Sequence, residues 1–377
     1  MFKDFIKNTD KNFQKMTYLS DKNCENALIN KEESKNSYEL QKDLNEKKTI
    51  NNSIIEMSKK MEGYCLSEYF ELSDYISSGS TGEVYLGKFK KTEKYAALKF
   101  LIQKKDNKKR ENKNVEDQNH TEILIHNKLK HRNIPDIYGY YQVDSGTCIA
   151  MEFCKYDLRN FKKQLLKRNF SETLLCFISF QILDAILNLQ KNKIIHLDIK
   201  PQNILVDEYL NVKLCDFSIS LNYSSEEKYI NLERAGTPYF MSPETLGEET
   251  IETDEASKID IYSFGVLIYL LAYCDYPYEI VQVNDKDYSQ ILKNIKEKEL
   301  IFPKNPNHSE MFQNFLRKCL EKYIKKRYNI YDALRDPWIK AHEYILNEKE
   351  KLNNGCKFLM YMMANNIFEF NKSIKRN

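Results

Sequence analysis

The apolar residues of this chain change their period partway along it. From Tyr69 they fall in short runs, Phe70 to Ile76, Val84 to Phe89 and Tyr95 to Leu101, with the turn-rich SSGSTGE between the first two, and this pattern predicts three β-strands. Ile137 to Gln142 and Thr147 to Phe153 predict two more, and Thr121 to Lys130 before them predicts a helix. The strongly charged stretch Gln103 to His120 reads as a solvated loop. After Asp157 the spacing becomes helical. Phe170 to Lys191 predicts a long buried helix, Ile204 to Val206 and Val212 to Cys215 predict short strands, and Ile259 to Tyr273, Asp287 to Lys298, Ser309 to Leu320 and Ile330 to Leu334 predict further helices. The pattern describes an α+β chain in which a small β-rich lobe joins a larger, mainly helical one.

The ends differ in texture. Residues 1–63 are Lys-, Asn-, Glu- and Ser-rich, with too few apolar positions to bury a core, and read as a flexible polar extension. Within it Ile54, Ile55, Met57 and Met61 have partly helical spacing and could dock elsewhere. Residues 342–377 form a tail that combines the apolar FLMYMM with the basic KSIKRN, a second candidate for docking on the large lobe or on a partner. One domain, 64–341, remains between them, with lobes of about 69–153 and 157–341. A chain of 377 residues is long enough for two such lobes.

Charge and cysteine usage narrow the partners. With 58 Lys and Arg against 55 Asp and Glu, a net charge of +3 does not point to nucleic acid or to a membrane surface. The opening MFKDFIKNTDKNF has no apolar run suited to a secretory signal. The longest apolar run, Phe264 to Tyr273, is about half of the roughly 20 residues that span a bilayer, so no membrane span is expected. Nine cysteines without a CxxC pair point to reduced thiols and an intracellular setting, cytoplasmic or nuclear.

Chemistry concentrates in HLDIKPQNIL, His196 to Leu205, where a carboxylate, an ammonium and an amide stand at fixed offsets. Asp198 can accept a proton, Lys200 can neutralise a transferring phosphate, and Asn203 can hold a metal ion. Upstream, Ser77, Ser78, Gly79, Ser80, Thr81, Gly82, Glu83 and Val84 make a turn between strands whose glycines let backbone N–H groups approach phosphate oxygens. Lys99 sits among Ala96, Ala97, Leu98 and Phe100, where a buried ammonium needs an anion, and Glu122 on the following helix supplies one. Asp216-Phe217-Ser218 follows the strand VKLC.

These pieces, in this order, resemble the catalytic domain of eukaryotic protein kinases over residues 70–341. The resemblance extends to GTPYFMSPE at Gly236 to Glu244, IDIYSFG at Ile259 to Gly265, and RYNIYDALRDPWI at Arg327 to Ile339, in which Arg327 would pair with Glu244. It implies a two-lobed kinase fold and ATP with Mg2+ as cofactors. Ile76, Val84 and Ala97 would roof the adenine and Leu205 would floor it. The backbone from Glu152 to Cys154 would read its edge, Asp157 would reach the ribose, and Met151 would be the gatekeeper. Lys99, paired with Glu122, would hold the α and β phosphates, while Asn203 and Asp216 would hold metal. Lys200 implies serine or threonine acceptors on protein substrates. Two alternatives stand beside this reading. One is a pseudokinase scaffold, suggested by Ser77 and Ser218 where the family carries glycine and by Leu197 where it carries arginine; the other is a tyrosine-directed kinase of the Wee type, whose catalytic loop HLDIKP also resembles. Leucine cannot bind a phosphate, and Glu233 stands where many kinases carry the phosphorylated threonine, so the substrate-side segment is expected to be held without phosphorylation.

Overall fold

The computed structural model describes residues 66–348, apart from 80–81, 93, 102–121, 144–145, 166–169, 208, 279–287, 305–307 and 346. The expected N-terminal extension, the charged loop over 103–120, the residues Ser80 and Thr81 and most of the C-terminal tail lie outside the described residues.

The N-terminal part is a five-stranded antiparallel sheet, β1 (Phe70–Ser78), β2 (Gly82–Phe89), β3 (Tyr95–Leu101), β4 (Ile137–Val143) and β5 (Gly146–Glu152), in the order β1-β2-β3-β5-β4. A turn of helix, α1 (Leu66–Tyr69), leads into it. The central strand β3 shows why alternation matters. Ala96, Leu98 and Phe100 face one side and pack with Phe70, Tyr141, Cys148 and Ala150, while Leu101 packs on the other side with Ile123, Ile149 and Met151. Lys99 shares that second side, opposite Val84 on β2 and Ile149 on β5. The β1–β2 turn closes through Gly79 N–H donating to Gly82 O at 2.8 Å. Gly82 is needed for space, since a Cβ there would lie 2.3 Å from the carbonyl oxygen of Phe100. Helix α2, over 122–128, lies on the Lys99 side of the sheet.

The larger part is built on two core helices, α4 (Glu172–Lys191) and α6 (Ala256–Tyr273). The Ser171 hydroxyl caps α4 by accepting from Leu174 N, and most of the helix between Leu174 and Leu189 is buried. The segments Glu172–Lys191 and Thr253–Tyr273 are long and apolar enough by composition to cross a bilayer, yet 67% and 89% of their apolar stretches are buried inside the protein, as in a globular core. Around them lie α3 (Leu158–Leu165), α5 (Pro243–Gly247), α7 (Ser289–Glu297), α8 (Glu310–Cys319), α9 (Ile330–Arg335) and α10 (Pro337–Ala341). Glu172 ties the far end together, accepting from Ser309 N and Oγ and from Trp338 Nε1.

Short strands set the site itself. β6 (Tyr156–Asp157), β8 (Ile204–Val206) and β9 (Val212–Leu214) form one ribbon, β7 (Ile194–Ile195) pairs with β10 (Leu221–Asn222), and β11 (Tyr229–Asn231) pairs with β12 (Thr250–Glu252). The last two pairings are absent from the sequence expectation, because two- and three-residue strands show no period. They staple the segment following Asp216 to the large lobe.

Candidate active site

Between the two parts lies a cleft of about 660 Å³. Ile76, Ser77, Ser78, Gly79, Gly82, Val84, Ala97 and Lys99 line it from the sheet, Glu122 and His126 from α2, and Met151, Glu152, Cys154 and Asp157 from the connecting segment. Asp198, Lys200, Asn203, Leu205 and Asp216 line it from below. The fold therefore brings nearly all of the sequence candidates to one cavity. Among the described residues Glu83 is the exception: it is absent from the lining, and its Oε2 accepts the Tyr85 hydroxyl at 2.9 Å, because the strand alternation that points Gly82 and Val84 to the cleft turns the residue between them away. Asp157 reaches the rim, but its carboxylate accepts from Asn160 N at 2.7 Å and Asn160 Nδ2 at 2.6 Å, so the ribose partner expected from sequence also caps the start of α3.

Lys99 is the electrostatic centre. Its Nζ lies 2.5 Å from Glu122 Oε1 and 3.2 Å from Asp216 Oδ1, joining sheet, helix and lower lobe. Burial works against its charge, but the two carboxylates outweigh burial and hold the ammonium above the ordinary lysine range. Burial pushes the Glu122 carboxyl up against the pull of Lys99, and Glu122 Oε2 has no hydrogen-bond partner among the described residues. Asp216 behaves oppositely. Burial opposes its ionisation too, yet the Lys99 ammonium beside it brings it down to about 2, so it remains an anion at any working pH.

The loop from His196 to Leu205 is held from beneath. Asp260 on α6 accepts from His196 N at 2.8 Å and Leu197 N at 3.1 Å, which lets Leu197 hold a left-handed backbone at φ +67°. Asp198 is fixed by donors on both oxygens. Thr237 N and Oγ1 donate to Oδ1 at 3.0 and 2.8 Å, Asn203 Nδ2 donates to Oδ2 at 2.9 Å, and Lys200 Nζ lies 2.5 Å from Oδ2. Lys200 also donates to Thr237 Oγ1 at 2.9 Å. Gly236 makes this closeness possible: its φ is +104°, and a Cβ there would sit 2.4 Å from the Leu197 carbonyl oxygen.

Thr237, Asp260, His126 and Phe217 are site residues absent from the sequence-based set. Thr237 was legible as the residue after Gly236 in GTPYFMSPE, whereas the contacts of His126 and Phe217 exist only in three dimensions. Phe217 is fully buried with its ring 5.2 Å from those of both His126 and His196. His126 Nε2 lies 2.8 Å from the Pro135 carbonyl, and burial lowers its pKa to about 4, so the ring is neutral. Cys215 lines the cleft, but burial raises its thiol well above the usual range, an unreactive thiol.

The donor chemistry fits a hard cation beside a nucleotide. The Nδ2 group of Asn203 is engaged by Asp198 O and Oδ2, which leaves Oδ1 to serve as an oxygen ligand next to the ionised Asp216. Among the described residues no three His, Cys, Asp or Glu side chains group to hold an ion by themselves, so an ion here would complete its shell from phosphate oxygens.

Comparison with known proteins agrees with this geometry. The protein kinase domain family matches residues 70–339. Over 287 residues, 75% of the chain, it is 31% identical to serine/threonine-protein kinase dst2 of Dictyostelium discoideum, although the match spans only 23% of that relative's length. A β-rich lobe over a helical one, a lysine–glutamate pair above the cleft, an aspartate loop below it and a family match across both lobes place this chain in the protein kinase family.

Proposed function

We propose that the chain transfers the γ-phosphate of ATP, with Mg2+, to serine and threonine hydroxyls of protein substrates. The observation that carries this reading is the four-group contact at the cleft floor, in which Thr237 binds Asp198 and Lys200 while Asn203 holds the other oxygen of Asp198. Phosphoryl transfer asks mainly for positioning and charge neutralisation. Lys99 would receive the α and β phosphates, already aligned by Glu122. Asp198 would orient the acceptor hydroxyl and take its proton, with Lys200 beside it to balance charge on the transferring group. Asn203 and Asp216 would hold Mg2+, which supplies charge neutralisation at the phosphates.

Support for the serine/threonine acceptor comes from Lys200 and from the name of the Dictyostelium relative. The test is transfer of labelled phosphate from ATP to generic protein acceptors, followed by identification of the phosphorylated amino acid. Wild type is expected to label serine and threonine, and Asp198→Asn to lose about 10²- to 10⁴-fold. Equal labelling by the two proteins would support the scaffold alternative, and phosphotyrosine alone would support the Wee-type one.

A further inference from the structure

A second buried ammonium stands behind the cleft, outside the phosphate-transfer chemistry. Lys213, on β9 in the large lobe, is 7% exposed, where a charged amine is costly unless an anion receives it. The anion is Glu152, the last residue of β5 in the small lobe. Lys213 Nζ lies 2.8 Å from Glu152 Oε2 and donates to the Arg132 carbonyl oxygen at 3.0 Å. The same Oε2 accepts from Asp136 N at 3.1 Å, and Glu152 N donates to Asp136 O at 2.8 Å. The 132–136 segment is in turn fixed to β9, since Asn133 Nδ2 donates to Val212 O at 2.7 Å and Leu214 N donates to Asn133 O at 2.8 Å. Val212, Lys213 and Leu214 in succession thus hold the small lobe behind the connecting segment.

Resting on the nucleotide-binding reading above, we propose that Lys213 is a positioning residue that holds the Glu152 end of β5 where the backbone of the connecting segment reads the adenine edge. Glu152, Phe153 and Cys154 line the cleft, and a backbone recognises a purine only while its donors and acceptors stay within a hydrogen-bond range of about half an ångström. Without the ammonium, Glu152 keeps, among the described residues, Asp136 and its strand partner Ala96, and its tie to β9 runs only indirectly through the 132–136 segment. With it, the β5 end is fixed directly to the strand that leads to Asp216 and whose next residue, Cys215, donates its N–H to Asn203 O at 3.0 Å. The purine is then read on the same rigid unit that presents Asn203 and Asp216, and the phosphates arrive over them in register.

The test is a double-mutant cycle in the full chain, read with two probes by NMR titration. Lys213→Met keeps the stem and removes the ammonium, and Glu152→Gln removes the charge while keeping an oxygen for Asp136 N. Adenosine carries the purine without phosphates, and magnesium tripolyphosphate carries phosphates without the purine. Lys213→Met is expected to bind adenosine about three- to tenfold more weakly than wild type, the size of one ordinary hydrogen bond, and to bind tripolyphosphate equally well. Glu152→Gln is expected to move adenosine binding in the same direction and by less, and the double variant to bind no more weakly than Lys213→Met, because both changes act through one contact. In the transfer assay the same factor is expected in KM for ATP, with kcat near wild type. Adenosine binding by Lys213→Met equal to that of wild type, or weakened in step with tripolyphosphate, overturns the proposal while the kinase reading stands. A wild-type chain that binds neither adenosine nor ATP overturns the nucleotide reading, and the proposal with it. Glu152→Gln carries the comparison should Lys213→Met not fold.

Discussion

At the scale of single residues, the site is an exercise in burying charge with its partners present. Lys99 is 7% exposed and would be costly there without Glu122 and Asp216. Lys99→Met should therefore reduce phosphate transfer by at least about 10²-fold, measured as kcat/KM for ATP, while leaving Glu122 buried without its cation. His126 shows the opposite case, a titratable ring kept neutral by burial with a pKa near 4 against an ordinary 6.5. Between those values the unfolded chain binds a proton that the folded one refuses, so stability rises with pH across that window. The contribution amounts to about 3 kcal/mol when the whole window is crossed, and about 2 kcal/mol between pH 5 and 7. Urea unfolding of wild type and His126→Leu at the two pH values checks this. The variant is expected to show a smaller loss of stability at pH 5; an equal loss in both proteins would place the acid sensitivity elsewhere.

At the scale of elements, the informative one is the segment between Asp216 and Gly236. Leu197 is 8% exposed and packs with Tyr223, Ile230, Leu232 and Ile251, so an apolar cluster occupies the place where an arginine would wait for a phosphate. Both arms are stapled by backbone, through β7–β10 and β11–β12, with Leu232 N donating to Glu249 O. Packing of this kind needs no modification to form. Phosphatase-treated enzyme is thus expected to keep most of its activity, and a collapse on treatment would sink the idea. Leu197→Asp places an unpaired carboxylate in the cluster, close to Asp260, which accepts the amide of residue 197. It is expected to cost about 3 kcal/mol or more and to open the segment 221–235 to proteolysis, whereas Leu197→Met should be nearly neutral.

At the scale of the whole molecule, the substrate-side loop is anchored to the far helices by one ion pair. Arg327, 2% exposed, donates from both terminal nitrogens to Glu244 at 2.9 and 3.0 Å and lies 5.0 Å over the Tyr262 ring. The sequence expectation of an Arg327–Glu244 pair is met in the structure. Arg327→Met leaves Glu244 as a buried charge without a partner and is expected to cost about 3–5 kcal/mol, seen as a lowered Tm together with loss of activity. A second long-range tie joins the lobes. Lys213 on β9 reaches Glu152 Oε2 at 2.8 Å and Arg132 O at 3.0 Å, beyond anything its place in VKLC suggests.

The sequence alone determined the lobe order and the elements whose residues repeat with a clear period. β3 is found at the predicted limits, and α4 begins two residues inside its prediction, after the Ser171 cap. It also determined that Asp198, Lys200 and Asn203 meet at the cleft floor, because they are tied by local chain geometry and their offsets survive in one dimension. The tertiary structure decided what depends on contacts between distant segments. It turned Glu83 away from the cleft, divided Asp157 between rim and helix cap, and put Thr237 on Asp198. Those outcomes follow from strand phase, from a glycine at 236 that admits close approach, and from burial, none of which has a period to read.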